Sequence, residues 1–344
     1  MITPSRPSLN DLRGAILGTA IGDTIGLPYE GLSSRRVARW APSRLRQQFL
    51  FGHGLVSDDT EHTFLVGLSL ASTDSASAYQ AVLARGLRLW LLTCPGGIGL
   101  ATLRSLIRLN LGFRPERAGV NSAGNGPAMR AALVGLCVPS HSIADYITAT
   151  TVLTHTDPRA RSGALAVALA AKSASEGYSG AELLSRIVAE IEEPEMRAAL
   201  EVACEMCSEG SGVADFVERL GLSAGVSGFV MHTVPVALFV AATARTFEAS
   251  IETAVRLGGD TDSVAAVVGA IAGVRFGPGS IPEDWIAGIT DWPLSVMRLE
   301  LLAKALSDGG HPPRYLFGGS LVRNLVVFMP LVLIHGFRRL APPY

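Results

Sequence analysis

The chain has 344 residues, 48% of them apolar, and a formal net charge of −1. That length builds one large domain or two modest ones, and the near-zero charge gives no overall basic field to draw the chain to nucleic acid. Four scattered cysteines are too few for a disulfide framework, and Met1–Asn10 has no apolar core of a secretory signal, so a reducing cytoplasm is the expected location.

In chain order, Ser8 is placed to cap a first helix, with Leu12, Ala15, Ile16 and Thr19 recurring at three- to four-residue spacing. It runs into Gly18, Gly22 and Gly26, a smooth stripe that permits close approach of another backbone, and Pro28 ends it. Asp23 and Glu30 lie at that helix end and its loop; a lone Glu30 reads first as a solvated loop acid. The arginine-rich stretch 33–50 reads as a solvated surface, with a phosphate-facing role as the alternative. Next comes Gly52-His53-Gly54-Leu55-Val56-Ser57-Asp58-Asp59-Thr60-Glu61-His62, a glycine-bearing loop with a hydroxyl and two adjacent acids opening an apolar helix. Two neighbouring carboxylates repel, and a helix N-terminus offsets only part of that. His62 is a candidate soft-metal ligand or an ordinary helix histidine.

Helical periodicity continues over 78–93 and about 103–109. Asn125-Gly126-Pro127 forms a tight turn whose backbone donors can cradle a phosphate, with Pro127 at the first position of a following helix. Further helices are predicted at 141–153, 162–173, 179–191, 195–208, 227–243 (Pro235 kinking or splitting it), 246–257 and about 293–306. His155 stands before the proline-bearing turn at Pro158, either against a ligand or as a cap. Cys204 and Cys207 form a CxxC with no second pair to complete a zinc site. Gly258-Gly259-Asp260-Thr261-Asp262-Ser263 repeats the earlier grammar: glycines, two acids and a hydroxyl opening an apolar helix. It reads as a capped helix or as ligands for a hard divalent cation. No alternating run is long enough for a sheet, so the expected architecture is all-α: a single helical domain over 8–306 and a C-terminal extension over 307–344. Within the extension, the ten apolar residues 325–334 fall short of the roughly 20 needed to span a bilayer and read as a docking segment, with an oligomer contact among its possible uses.

If the helices opened by Asp58-Asp59 and Asp260-x-Asp262 pack side by side, four carboxylates, Ser57 and Ser263 converge. Such a cluster calls for one or two cations, and all-oxygen donors favour Mg²⁺ or Mn²⁺. At this point the chain resembles the ADP-ribosylglycohydrolase family. The motifs Gly18-xxx-Gly22-Asp23-xx-Gly26-x-Pro28-x-Glu30, Ser57-Asp58-Asp59-Thr60, Gly124-Asn125-Gly126-x-Ala128-Met129-Arg130, Thr154-His155-xx-Pro158 and Gly258–Ser263 occur in the family's order across residues 11 to about 277. The resemblance implies a compact many-helix fold with two Mg²⁺ or Mn²⁺ ions held by Ser57, Asp58, Asp59, Asp260, Asp262 and Ser263. It implies an ADP-ribose site drawing on Asn125, Gly126, Met129, Arg130, His155 and Gly259. Asp59 and Glu30 are the candidates for proton relay. The family more often has Thr at 57 and 263, which keeps the hydroxyl, and a Met-like residue where His62 stands, which bears on substrate access. The implied activity is hydrolysis of the glycosidic bond between ADP-ribose and a protein or small-molecule acceptor. The competing readings are an ADP-ribose-binding or structural member without turnover and a metal-dependent phosphohydrolase. Neither a nucleic-acid partner nor a membrane span is expected.

Overall fold

A computed structural model describes residues 7–339. The expected all-α architecture is what forms. The helices run α1 (Leu9–Gly26), α2 (Ser34–Trp40), α3 (Asp58–Ser72), α4 (Ala76–Leu91), α5 (Leu100–Asn110), α6 (Pro115–Ala118), α7 (Ala132–Cys137), α8 (Ile143–Thr151) and α9 (Pro158–Ser175). Then follow α10 (Gly180–Glu190), α11 (Pro194–Ser208), α12 (Val213–Arg219), α13 (Val230–Thr243), α14 (Phe247–Arg256), α15 (Thr261–Phe276), α16 (Glu283–Ala287), α17 (Val296–Asp308), α18 (Phe317–Arg323) and α19 (Met329–Arg339). Two two-residue strands, β1 (Leu32–Ser33) and β2 (Gly258–Gly259), pair antiparallel. Too short to show alternation, they lie below what periodicity can detect.

The centre of the domain is the antiparallel pair α1 and α15. Both are buried along nearly their whole length. Their contact is a glycine zipper in which Gly14 faces Gly273, Gly18 faces Gly269, Gly22 faces Ala265 and Gly26 faces Thr261. A Cβ at Gly18 would sit 2.0 Å from the Gly269 carbonyl oxygen, and one at Gly22 only 1.9 Å from that of Ala265. No side chain fits there, so the backbones touch, and the end of α1 is held beside the start of α15. Gly14 extends the stripe one turn before the three glycines expected.

Several expectations change in detail. Ser8 occupies the cap position of α1 without a side-chain cap bond, and Asp260 does the same at α15. Pro127 does not open a helix: residues 126–130 are successive turns and α7 begins at Ala132. Pro235 lies inside α13 without splitting it, because a proline two turns in removes a single main-chain bond from an otherwise fully packed helix. In the arginine-rich stretch, Arg44 is committed to Glu248 and Asp284, at 2.6 Å each. All four cysteines are free thiols.

The C-terminal segment is helical over far more than ten residues. From 317 onward it continues through a widened turn at 324–328 into α19; Pro330, lacking an N–H, explains the local widening. Phe317–Phe337, with mean hydropathy 1.8, is by length and composition long and apolar enough to cross a membrane, which corrects the shorter reading. Its inner side packs on the domain, where Phe328 joins Leu27, Phe49 and Leu55 in a small apolar cluster.

The zipper gives a direct test. Gly22→Ala should cost about 3 kcal/mol or more in urea unfolding, because the added methyl meets backbone that cannot yield. Gly318→Ala, in an exposed helix with open space around it, should be neutral or stabilising by up to about 1 kcal/mol.

Candidate metal centre

Three local devices bring the two acidic clusters together. First, the zipper places the loop after α1, with Glu30, against the start of α15. That loop is then tied down: β1 pairs with β2, and the Gly31 N–H donates to the Gly259 carbonyl at 2.6 Å. Gly259 has φ +89°, and a Cβ there would lie 2.1 Å from the Val226 oxygen, so only glycine passes between the strands and that segment.

Second, α3 is fixed to α1 by Asp23. This fully buried carboxylate accepts the Ser57 N–H at 2.9 Å, the Thr60 N–H at 3.2 Å and the Thr60 hydroxyl. It thereby satisfies the free donors at the N-terminus of α3 from outside the helix. Burial raises the Asp23 pKa, while these hydrogen bonds lower it. Sequence reading noticed Asp23 without finding this role; an acid in the glycine stripe of a buried helix was the available signal.

Third, Asn125 orients Asp260. Its Nδ2 donates to Asp260 Oδ2 at 2.6 Å and to Thr233 Oγ1 at 3.1 Å, while its own N–H is held by the Gly228 carbonyl. Gly228 is required because a Cβ would sit 2.9 Å from Asp260 Oδ2.

The result is an open cavity of about 550 Å³. Glu30, Asp58, Asp260, Asp262 and Ser263 line one part of it, and Asn125, Gly126, Met129, His155 and Gly259 another. One carboxylate oxygen from each of Glu30, Asp260 and Asp262 lies within 4.8 Å of the other two, an acidic cluster able to hold a metal ion. Outside that lining, Asp59 is wholly buried. Its Oδ2 accepts the Ser57 and Ser263 hydroxyls at 3.3 Å each, joining residues 204 apart in sequence, while its Oδ1 has no partner. A buried carboxylate oxygen without a donor is costly and marks a place for a cation. Burial first, then the neighbouring acids, push Asp58, Asp59 and Asp262 well above the usual carboxylate range. The donor set therefore fits a hard divalent ion.

Other sequence candidates fall elsewhere. Arg130 does not reach the cavity. It is 1% exposed and donates to Thr150 Oγ1 (3.1 Å), the Thr150 carbonyl (3.0 Å) and Thr154 Oγ1 (2.8 Å). Because Thr154 accepts from Arg130, its own hydroxyl hydrogen is available to His155 Nδ1, 2.9 Å away. His155 Nε2 faces Gly124, whose notional Cβ would be 3.0 Å away. Burial and the Arg130 charge lower the His155 pKa to about 3, so the ring is a neutral donor at physiological pH. His62 faces the core, edge-on to Trp90 at 4.3 Å and 3.3 Å from Arg130, which removes it as a metal ligand. Sequence reading missed Thr102, Ser122, Ser227 and Gly228 in the cavity wall, which lie in unremarkable loop or helix-start sequence.

An all-helical domain thus closes an acidic, hydroxyl-bearing pocket at two facing helix N-termini, an arrangement able to hold a metal ion. The ADP-ribosylglycohydrolase family profile matches residues 5–314, and the chain belongs to that family. An uncharacterised protein of Archaeoglobus fulgidus is 32% identical over 287 residues, covering 81% of this chain and 91% of its own. The ADP-ribosyl-[dinitrogen reductase] glycohydrolase of Rhodospirillum rubrum is 25% identical, covering 82% and 91%. The mouse ADP-ribosylhydrolase ARH3 is also 25% identical, covering 81% and 87%. A solved ADP-ribosylglycohydrolase-related protein complex superposes with a TM-score of 0.68 at 27% identity, over 88% of this chain and 98% of that one.

The raised acids make stability depend on pH and metal together. In metal-free protein, Asp58, Asp59 and Asp262 keep their protons to higher pH folded than unfolded, so they add stability at low pH. That stability is lost as pH rises from about 4 through their raised values. Chelator-treated protein should therefore melt lower at pH 8 than the metal-loaded protein. Added Mn²⁺ at about 100 times its Kd should restore roughly 2.7 kcal/mol, measured by thermal unfolding.

Proposed function

We propose that this chain is a divalent-metal-dependent ADP-ribosyl glycohydrolase acting on ADP-ribose joined to a protein side chain or small-molecule acceptor. The observation that carries this reading is the Glu30, Asp260 and Asp262 cluster in a ligand-sized cavity, with the unpartnered Oδ1 of buried Asp59 on a carboxylate bonded to the cavity-lining Ser263. Ser57, Asp58, Asp59, Asp260, Asp262 and Ser263 would hold two Mg²⁺ or Mn²⁺ ions. When bound, these ions supply Lewis acidity that grips a ribose diol and acidifies a water.

The remaining chemistry follows from the chain's own residues. Asn125 fixes the Asp260 carboxylate, which lines the cavity. Glu30 lines that cavity whereas Asp59 is buried and not among its lining, which favours Glu30 as the proton relay and Asp59 as a donor to metal. A carboxylate beside the anomeric carbon also stabilises the oxocarbenium-like charge that develops when a glycosidic bond breaks. No lysine or arginine lines the cavity among the described residues. The Gly124 and Asn125 N–H groups are taken by Ser122 Oγ and the Gly228 carbonyl, so the diphosphate would be met by the Gly126 N–H and the neutral His155 ring. The Rhodospirillum rubrum relative is named for a protein-linked substrate, dinitrogen reductase, which supports a protein acceptor here. An arginine- or serine-linked ribose is the expected attachment.

Asp260→Asn should abolish Mn²⁺ binding and lower turnover at least about 100-fold while leaving the fold intact. The check is mass spectrometry of products from arginine-linked and serine-linked substrates with and without Mn²⁺. Full activity in that variant would overturn the site assignment. Release of inorganic phosphate in place of ADP-ribose would establish the phosphohydrolase reading. Tight ADP-ribose binding without product on any acceptor would establish a binding protein.

A further inference from the structure

The family profile ends at residue 314, yet a side chain beyond it reaches the back of the metal loop. Arg323, in the last turn of α18, is 4% exposed. Its guanidinium bonds Asp291 Oδ2 at 2.5 Å, lies 3.4 Å from Glu61 Oε1 and donates to the carbonyl oxygen of Val56. Asp291 in turn accepts the Val56 N–H at 2.9 Å. Both main-chain polar groups of Val56 thus end on one buried ion pair, and Val56 immediately precedes Ser57-Asp58-Asp59. Glu61, in the first turn of α3, is fixed on its other oxygen by Trp90 Nε1. Asn324 secures the guanidinium from its own helix: its Oδ1 accepts from Arg323 Nη1 at 2.8 Å, and its Nδ2 donates to the Thr93 carbonyl at 3.0 Å. Asp23 holds the loop from one side, through Ser57 and Thr60, and Arg323 holds it from the other.

We propose that Arg323 is a positioning residue for the Ser57–Asp59 donors, which makes the C-terminal helical segment a working part of the metal centre. The proposal rests on the reading of residues 57–59 as metal donors. Its physical basis is crowding of like charge. Asp58, Asp59, Glu61, Asp23 and Asp291 approach one short loop, and a guanidinium that bridges two of these acids and a main-chain carbonyl fixes the loop where a compact ammonium would not. Donor atoms must be held to within about 0.5 Å for tight metal binding, so the support behind the loop sets the affinity in front of it.

Removing Arg323 alone would strand two buried acids, so the decisive variant combines Arg323→Met with Glu61→Gln and Asp291→Asn, which takes the charges away together. In the full chain, Mn²⁺ binding by calorimetry, circular dichroism and turnover are measured side by side. The triple variant should fold, bind Mn²⁺ at least about tenfold more weakly, and lose kcat with little change in KM at saturating Mn²⁺. Arg323→Lys should fall in between, and it decides the matter by the same measurement if the triple variant does not fold. Val332→Ala, which trims the same helix beside Gly96 and makes no bond to Arg323, should lower Tm but keep Mn²⁺ affinity. Affinity within twofold of the unmodified chain in a folded Arg323 variant would overturn the proposal, as would equal loss of affinity in Val332→Ala. An unmodified chain that binds no Mn²⁺ would overturn both this proposal and the metal reading. One that binds Mn²⁺ but releases no ADP-ribose would overturn the activity alone and leave the affinity comparison to decide the role of Arg323.

Discussion

The site depends on backbone-to-backbone contact between α1 and α15. Gly14, Gly18, Gly22 and Gly26 face Gly273, Gly269, Ala265 and Thr261 in antiparallel register, with no room for a Cβ on the α1 side. This close approach does two things at once. It delivers the Glu30 loop to the Asp260–Asp262 turn, and it lets Asp23, on the same helix, reach across to the start of α3. Dispersion and apolar burial hold the helices, but the absence of side chains sets their distance. An added methyl group would move donors, not merely loosen a core.

Around that axis the acids sit in an arrangement that is unfavourable by itself. Burial and mutual repulsion raise three carboxylates far from their ordinary range, and Asp59 keeps an oxygen without a partner. Proteins tolerate such arrangements where a ligand relieves them. Helix N-termini at α3 and α15 contribute modestly, on the order of 1 kcal/mol each. The neighbouring polar groups are arranged to support that cluster: Asn125 on Asp260, and Ser57 and Ser263 on Asp59.

The second face of the cavity uses neutral chemistry. His155 is kept uncharged by burial and by Arg130, and Thr154 between them passes orientation from one to the other. A conspicuous arginine in a turn motif invites assignment to a phosphate, yet this one is spent on holding a histidine. The cationic character of the site would come from metal, and its anion-binding character from glycine-rich backbone.

The sequence by itself determined the helical class, because apolar spacing of three to four residues is written locally and survives any tertiary context. It also determined the two acid-and-hydroxyl turns, since glycine followed by Asp or Ser before an apolar run has few local solutions. It left the pairing of those turns conditional, because nothing between residues 59 and 263 encodes their separation. The structure decided that pairing through the zipper, a matter of which helix faces which. It also decided that Arg130 and His62 point into the core, since a side chain's direction from an irregular turn or a fully buried helix is set by its neighbours. The last 30 residues illustrate the limit best. Hydropathy marked an apolar run there, but that Arg323 crosses back to hold residue 56 depends on contacts 267 positions apart, and only the folded chain supplies them.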